Sequence, residues 1–194
     1  MDLVALPRSV EIGGLLNALP LVRCKTRVVY TGIYLRPSVI MGFLEKICHC
    51  FDENSIPYAI VGGYAVALHG APRGTFDIDF IISLKEDVFI KVEAALLSLG
   101  FLARLPVTAL EVFRFRKEYI ENRNLIAWSF YNKNNPIEVV DIVITENLDN
   151  FKAVEKIIKN FKIKILSKAD LIYMKRKSGR RQDIEDINAL EKLS

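Results

Sequence analysis

Apolar and polar positions fall into clear periods from about residue 39 onward. Ile40, Phe43, Leu44, Ile47 and Phe51 recur at three- and four-residue intervals, which predicts an amphipathic helix from Val39 to about Asn54. The short apolar run Tyr58-Ala59-Ile60-Val61 ends at Gly62-Gly63 and reads as a buried strand closed by a tight turn, with a second helix beginning at Ala65. In Phe76-Asp77-Ile78-Asp79-Phe80-Ile81-Ile82, acidic and apolar residues alternate with the period of a strand, so both aspartates point to one face. Lys85 to Leu99 is helical in period, and Gly100 follows as a terminator.

Beyond Gly100 the pattern through Arg123 is ambiguous. Leu125 to Tyr131 and Ile137 to Ile144 then read as two strands of a hairpin across Asn132-Lys133-Asn134-Asn135-Pro136. Asn150 to Asn160 reads as a helix and Phe161 to Leu166 as a strand. Ser167 with Asp170 forms a capping signal ahead of two closing helices, about 168–177 and 181–192. The predicted class is α+β, a small mixed sheet flanked by helices. Its parts are an N-terminal extension over 1–38, a core over 39–166, and a helical segment over 167–194 packed on that core. In the extension, Pro7, Gly13-Gly14, Pro20, Gly32 and Pro37 interrupt every apolar run.

A chain of 194 residues, 51% hydrophobic and 26% charged, can bury a substantial core. The net charge of +4 permits a polyanionic partner without requiring one. Lys175, Arg176, Lys177, Arg180 and Arg181 form the one marked basic cluster, either a phosphate or RNA site or a solvated helix face. No apolar run is long enough to span a membrane, and three cysteines without paired spacing suit a reducing compartment, so the expected location is cytoplasmic. Cys48-His49-Cys50 offers too few ligands at too short a spacing for structural zinc.

Three features of the sequence could carry chemistry. Asp77 and Asp79 lie side by side among Ile78, Phe80, Ile81 and Ile82; buried carboxylates repel unless a hard cation such as Mg²⁺ relieves them. Gly62-Gly63, between a strand and a helix, is either a phosphate cradle or a turn that needs glycine for its angles. Asp141 sits within the apolar strand Val139 to Val143. It is either paired with a cation or an edge-strand residue facing water.

In combination these residues resemble a known family. The string Val61-Gly62-Gly63-Tyr64-Ala65, His69-Gly70, Arg73, Thr75, Asp77-Ile78-Asp79-Phe80 is similar to the first motif of minimal nucleotidyltransferases of the DNA-polymerase-beta-like superfamily, particularly AbiE-type toxins. Leu171-Ile172, Met174-Lys175, Gly179-Arg180, Asp183-Ile184, Asp186-Ile187 and Leu190 resemble the closing motif of that group, which has lysine where Gln182 stands here. The resemblance implies two Mg²⁺ ions held by Asp77, Asp79 and Asp141, and a nucleoside triphosphate contacted by Gly62, Gly63, Arg73, Thr75 and Lys175. It also implies transfer of a nucleotide to an RNA, tRNA or protein hydroxyl and a separate antitoxin partner. Transfer to a small molecule of the antibiotic type, or a binding module of the same fold without turnover, are the alternatives. His69 is expected to stabilise its loop rather than to act in proton transfer.

Overall fold

The computed structural model describes residues 37–158 and 160–193, so nearly all of the N-terminal extension lies outside the described residues. Helix α1, Pro37–Glu53, buries Phe43, Leu44, Ile47 and Phe51 on the stripe expected from their spacing. Strand β1, Tyr58–Ile60, is fully buried and leads through Val61 into helix α2, Gly62–His69. The helix thus begins at the glycines themselves, earlier than the apolar pattern indicated. It ends at Gly70, whose φ of 107° suits a residue without Cβ. Strand β2, Asp77–Ile82, shows the expected alternation, with Ile78 and Phe80 buried and Asp77 and Asp79 half-buried. Helix α3, Glu86–Ser98, follows, and Gly100 beyond it has a φ of 86°.

The ambiguous stretch resolves into strand β3, Phe101–Ala103, and helices α4, Ala109–Arg114, and α5, Arg116–Arg123. A capping box starts α4: Thr108 accepts from the Glu111 amide while Glu111 accepts from the Thr108 amide. The hairpin is present as strands β4, Ala127–Asn132, and β5, Asn135–Val143, with a shorter connection than the five polar residues suggested.

The helix expected over Asn150–Asn160 is absent. The chain forms strand β6, Ala153–Ile158, paired antiparallel with strand β7, Phe161–Leu166, after a single 3₁₀ turn at Leu148–Asn150. β-Branched Val154, Ile157 and Ile158 fit a pleated surface, and alternate residues are exposed because β6 has a neighbour on one side only. Helices α6, Lys168–Ser178, and α7, Arg181–Glu191, close the chain. Ser167 caps α6 by accepting from the Asp170 amide at 3.2 Å.

All strands join one mixed seven-stranded sheet in the order β3-β4-β5-β2-β1-β7-β6. One face presents Ile78, Phe80, Val140, Ile142, Trp128 and Phe130, all with no exposed surface. It receives α1 through Phe51 against Phe80 and α3 through Phe89 against Trp128. Helix α2 packs with α6 and α7, and Leu171 and Leu190 from the closing helices enter the common core. Residues 167–193 are therefore tied to the strand-glycine-helix segment. The opposite face of β2, β5 and β4 carries the half-buried polar residues.

Candidate active site

Strands β2 and β5 pair in parallel, with Asp79 opposite Asp141 and Asp77 opposite Val139. Their shared register therefore places three carboxylates on one face. One oxygen from each of Asp77, Asp79 and Asp141 lies within 4.8 Å of the other two. Among the described residues this is the one group of three or more potential metal ligands that converge in this way. Because β5 lies between β4 and β2, Asp141 is interior to the sheet, which removes the edge-strand reading.

Among the described residues this cluster has no ion-paired cation. Burial, followed by the charges of Asp77 and Asp141, pushes the Asp79 carboxyl up to about 7. Burial likewise raises Asp141, while a hydrogen bond from Ser129, its cross-strand partner, opposes that rise. One Asp141 oxygen, Oδ1, is buried without a hydrogen-bond partner among the described residues. Asp77 is oriented by Thr75, whose Oγ1 donates to Oδ1 at 2.5 Å. Hard divalent cations prefer such oxygen ligands, so a converging trio with an orphaned buried oxygen fits a metal.

The glycines belong to the same construction. Gly62 has a φ of 62°, and a Cβ there would lie 1.8 Å from Asp79 Oδ2. A Cβ on Gly63 would lie 2.8 Å from the Thr75 Cβ. Left-handed backbone and close approach both demand glycine at 62, whereas at 63 the demand is space alone. The Val61 amide also donates to the Asp79 carbonyl at 2.9 Å, so the glycine turn and the carboxylate strand are built against each other.

A second cluster lies beside the first. Lys175, only 6% exposed, donates through Nζ to Asp186 at 2.6 Å and to Asp183 at 3.0 Å. Arg73 Nε approaches Asp186 at 3.3 Å, and Arg180 Nε donates to Asp183 at 2.9 Å. Burial would raise the Asp183 carboxyl, but hydrogen bonds from Arg180 and Lys175 outweigh it and hold it down at about 2. Of the nucleotide-contact candidates, the structure thus sets Gly62 and Thr75 directly against the carboxylates, with Gly63 packed on Thr75. Lys175 and Arg73 are engaged by the acidic residues of α7, although the charges of Arg180 and Lys175 still act on Asp79.

His69 Nε2 donates to the Leu166 carbonyl at 2.8 Å, so it ties α2 to β7. Cys48 and Cys50 are buried in α1, where burial pushes the Cys48 thiol up to about 12, and His49 faces Glu53 at 3.3 Å. Periodicity did not reveal Ser129, which faces Asp141 across the β4–β5 pairing, or Arg104 just beyond β3, whose charge bears on Asp141, because both depend on the pairing of distant segments. Gln182 Nε2 donates to Glu185 at 3.2 Å at the outer edge of the second cluster.

A mixed sheet with carboxylates on adjacent strands and a glycine turn built against them defines the nucleotidyltransferase fold. The chain belongs to the family described as Nucleotidyltransferase of unknown function (DUF6036), whose model matches residues 40–193. It is accordingly an enzyme of the nucleotidyltransferase class. Comparison with curated protein sequences returns no match. Among solved structures, the antibiotic-resistance factor ANT(2'')-Ia is similar at 14% identity and a TM-score of 0.56, covering 80% of this chain and 84% of that one. The lincomycin-bound lincosamide antibiotic adenylyltransferase LnuA is similar at 17% identity and a TM-score of 0.53, covering 79% and 97%. A protein from Thermotoga maritima assigned as a nucleotidyltransferase is similar at 16% identity and 0.53, covering 80% and 94%. At these identities the likeness concerns the fold.

Proposed function

We propose that this enzyme transfers a nucleotide from a nucleoside triphosphate to an acceptor hydroxyl with the help of Mg²⁺, two ions being held by Asp77, Asp79 and Asp141. The observation that carries this reading is the convergence of three carboxylates that lack cationic partners beside a glycine turn. In the reaction an acceptor oxygen forms a bond to the α-phosphorus, the bond from that phosphorus to the β-phosphate bridging oxygen breaks, and pyrophosphate leaves. Bound Mg²⁺ would supply Lewis-acid charge for this displacement.

The chain's own residues orient the reactants. Gly62 and Gly63 offer backbone N–H groups at the start of α2 to the β- and γ-phosphates. Thr75 keeps Asp77 turned toward the cluster. Asp141, with its unpartnered oxygen, completes the metal site and favours loss of the acceptor proton. Arg73 and Lys175 contribute positive charge behind the phosphates, and their partners Asp183 and Asp186 fix where that charge sits. The catalytic unit in this reading is residues 39–166, with 167–194 as its closing helical part and 1–38 as an extension.

We further propose an RNA, tRNA or protein hydroxyl as acceptor, in a cytoplasmic toxin countered by an antitoxin, on the strength of the motif resemblance. No helix among the described residues is long and apolar enough to cross a membrane. A second reading, adenylylation of a small molecule, is favoured by the likeness in fold to ANT(2'')-Ia and LnuA.

The test is transfer of label from each α-labelled nucleoside triphosphate, with Mg²⁺, into RNA, protein and low-mass fractions of a cell extract. Label that disappears in Asp77→Ala/Asp79→Ala supports the reading, and the labelled fraction identifies the acceptor class. Triphosphate binding without any transfer would leave a binding module of the same fold.

A further inference from the structure

The face of the sheet that carries the carboxylates does not end at Asp141. Strand register continues it outward: Ser129 on β4 pairs with Asp141, Tyr131 pairs with Val139, and the Arg104 amide just beyond β3 donates to the Ser129 carbonyl at 2.9 Å. The alternation along β4 turns Trp128 and Phe130 into the core and leaves Ser129 and Tyr131 half-buried on the carboxylate face. At the outer end, Arg104, Tyr131 and Pro136 line a shallow open cavity of about 430 Å³. The Arg104 side chain is exposed and makes no hydrogen bond or ion pair with another described residue, yet its charge reaches Asp141.

We infer that the Arg104–Tyr131–Pro136 cavity is the acceptor subsite, and that it takes an acceptor carrying a phosphate or carboxylate next to a planar ring. This rests on the nucleotidyl-transfer reading above. The phosphates of the triphosphate belong with the glycines at the start of α2, on the β1 side of the carboxylates, so the acceptor must approach from the β5–β4 side. An anionic acceptor nearing three carboxylates is repelled unless a cation lies along its path. Arg104 is such a cation, and its planar fork can hold two oxygens of one phosphate or carboxylate at once. Tyr131 and Pro136 supply the apolar surface on which a ring can lie, with the tyrosine ring suited to stacking. A polycationic acceptor would meet Arg104 as a like charge, and no described carboxylate lines the cavity to offset it.

The test is calorimetric, on the full chain with Mg²⁺ and a saturating non-hydrolysable triphosphate. Phenyl phosphate and benzylamine, which share a ring and differ in charge, are titrated in turn. Phenyl phosphate is expected to bind and benzylamine not to bind; Arg104→Gln should weaken phenyl phosphate about tenfold or more, as should Tyr131→Leu. Arg123→Gln, an exposed change on α5, should leave binding as it was. Binding of benzylamine comparable to phenyl phosphate, or unchanged phenyl phosphate affinity in Arg104→Gln, overturns the assignment. Titration of the triphosphate alone, done first, separates the two levels: failure there removes the nucleotidyl-transfer reading, whereas triphosphate binding without phenyl phosphate binding removes only the subsite. In the labelled extract, the labelled product should be retained on an anion exchanger more tightly than the same nucleotide esterified to an uncharged alcohol, since the transferred group itself carries one negative charge. Its loss after nuclease treatment identifies the terminus of a nucleic acid, its persistence a low-mass phosphorylated or carboxylated compound, and label confined to the cationic fraction refutes the inference.

Discussion

Two acidic clusters lie near each other in this enzyme, and they are built on opposite principles. Asp183 and Asp186, 2% and 3% exposed, are matched by Lys175, Arg73 and Arg180. Asp77, Asp79 and Asp141 converge with no ion-paired cation among the described residues, and one buried oxygen has no hydrogen-bond partner among them. The same residue type is therefore neutralised in one place and left in mutual repulsion in the other. A satisfied cluster stabilises the structure it holds, whereas an unsatisfied one stores an affinity for something added later. Here the paired cluster secures the closing helices against the loop before β2, and the unpaired one is the candidate reaction centre.

The contrast is broken most sharply by removing a member from each side. Asp79→Ala should reduce nucleotide transfer by about a thousandfold or more, a loss of ~4 kcal/mol in transition-state stabilisation, and should abolish Mg²⁺-dependent thermal stabilisation. Its fold should survive, as circular dichroism would show. Asp186→Ala should do the reverse: urea unfolding should report a loss of about 3–5 kcal/mol, because Lys175 is left buried with a single remaining carboxylate. Unchanged stability in Asp186→Ala would mean that the second cluster does not hold the closing helices.

Metal-free Asp79→Asn should be more stable than the wild type at pH 8, by roughly 2–4 kcal/mol. The sign follows from the folded state binding its proton up to about pH 7, well above the ordinary carboxylate value of 3.8. Between those two values the folded protein holds the proton more tightly, so wild-type stability declines as pH rises through that window and the full cost is present above it. Thermal melts from pH 4 to 8 without metal should show this decline in wild type and a flatter profile in Asp79→Asn, and Mg²⁺ should restore the wild type at pH 8. The smallest expected change in stability is that of Gly62→Ala, about 1–2 kcal/mol for its left-handed backbone. Its Cβ would also displace the Asp79 carboxylate, so weaker Mg²⁺ affinity by calorimetry should accompany that modest loss.

Much of this arrangement is legible in the sequence. Helix α1, the β1–glycine–α2 turn, the alternation in β2, the β4–β5 hairpin and the Ser167 cap follow from local period and turn chemistry, which act over a few residues. The 150–160 segment reads as a helix because Phe151, Val154, Ile157 and Ile158 recur at helical spacing, whereas in the strand Val154 and Ile158 share one face and Ile157 lies exposed on the other. Pairing with β7 decided between them. The stretch between Gly100 and Arg123 was unreadable because α4 and α5 are short, and α5 buries no residue fully.

Sequence by itself determined which residues could do chemistry: two aspartates at strand spacing, a third among valines and isoleucines, and a glycine pair between a strand and a helix. Only the tertiary structure decided that Asp141 is interior and in register with Asp79, that Lys175 is held by Asp183 and Asp186, and that Ser129 faces Asp141 with Arg104 next beyond it. The reason is physical. Period and turn propensity are written within a few neighbouring residues, whereas strand order, register and ion pairing join positions tens of residues apart and are set by which faces can be buried together.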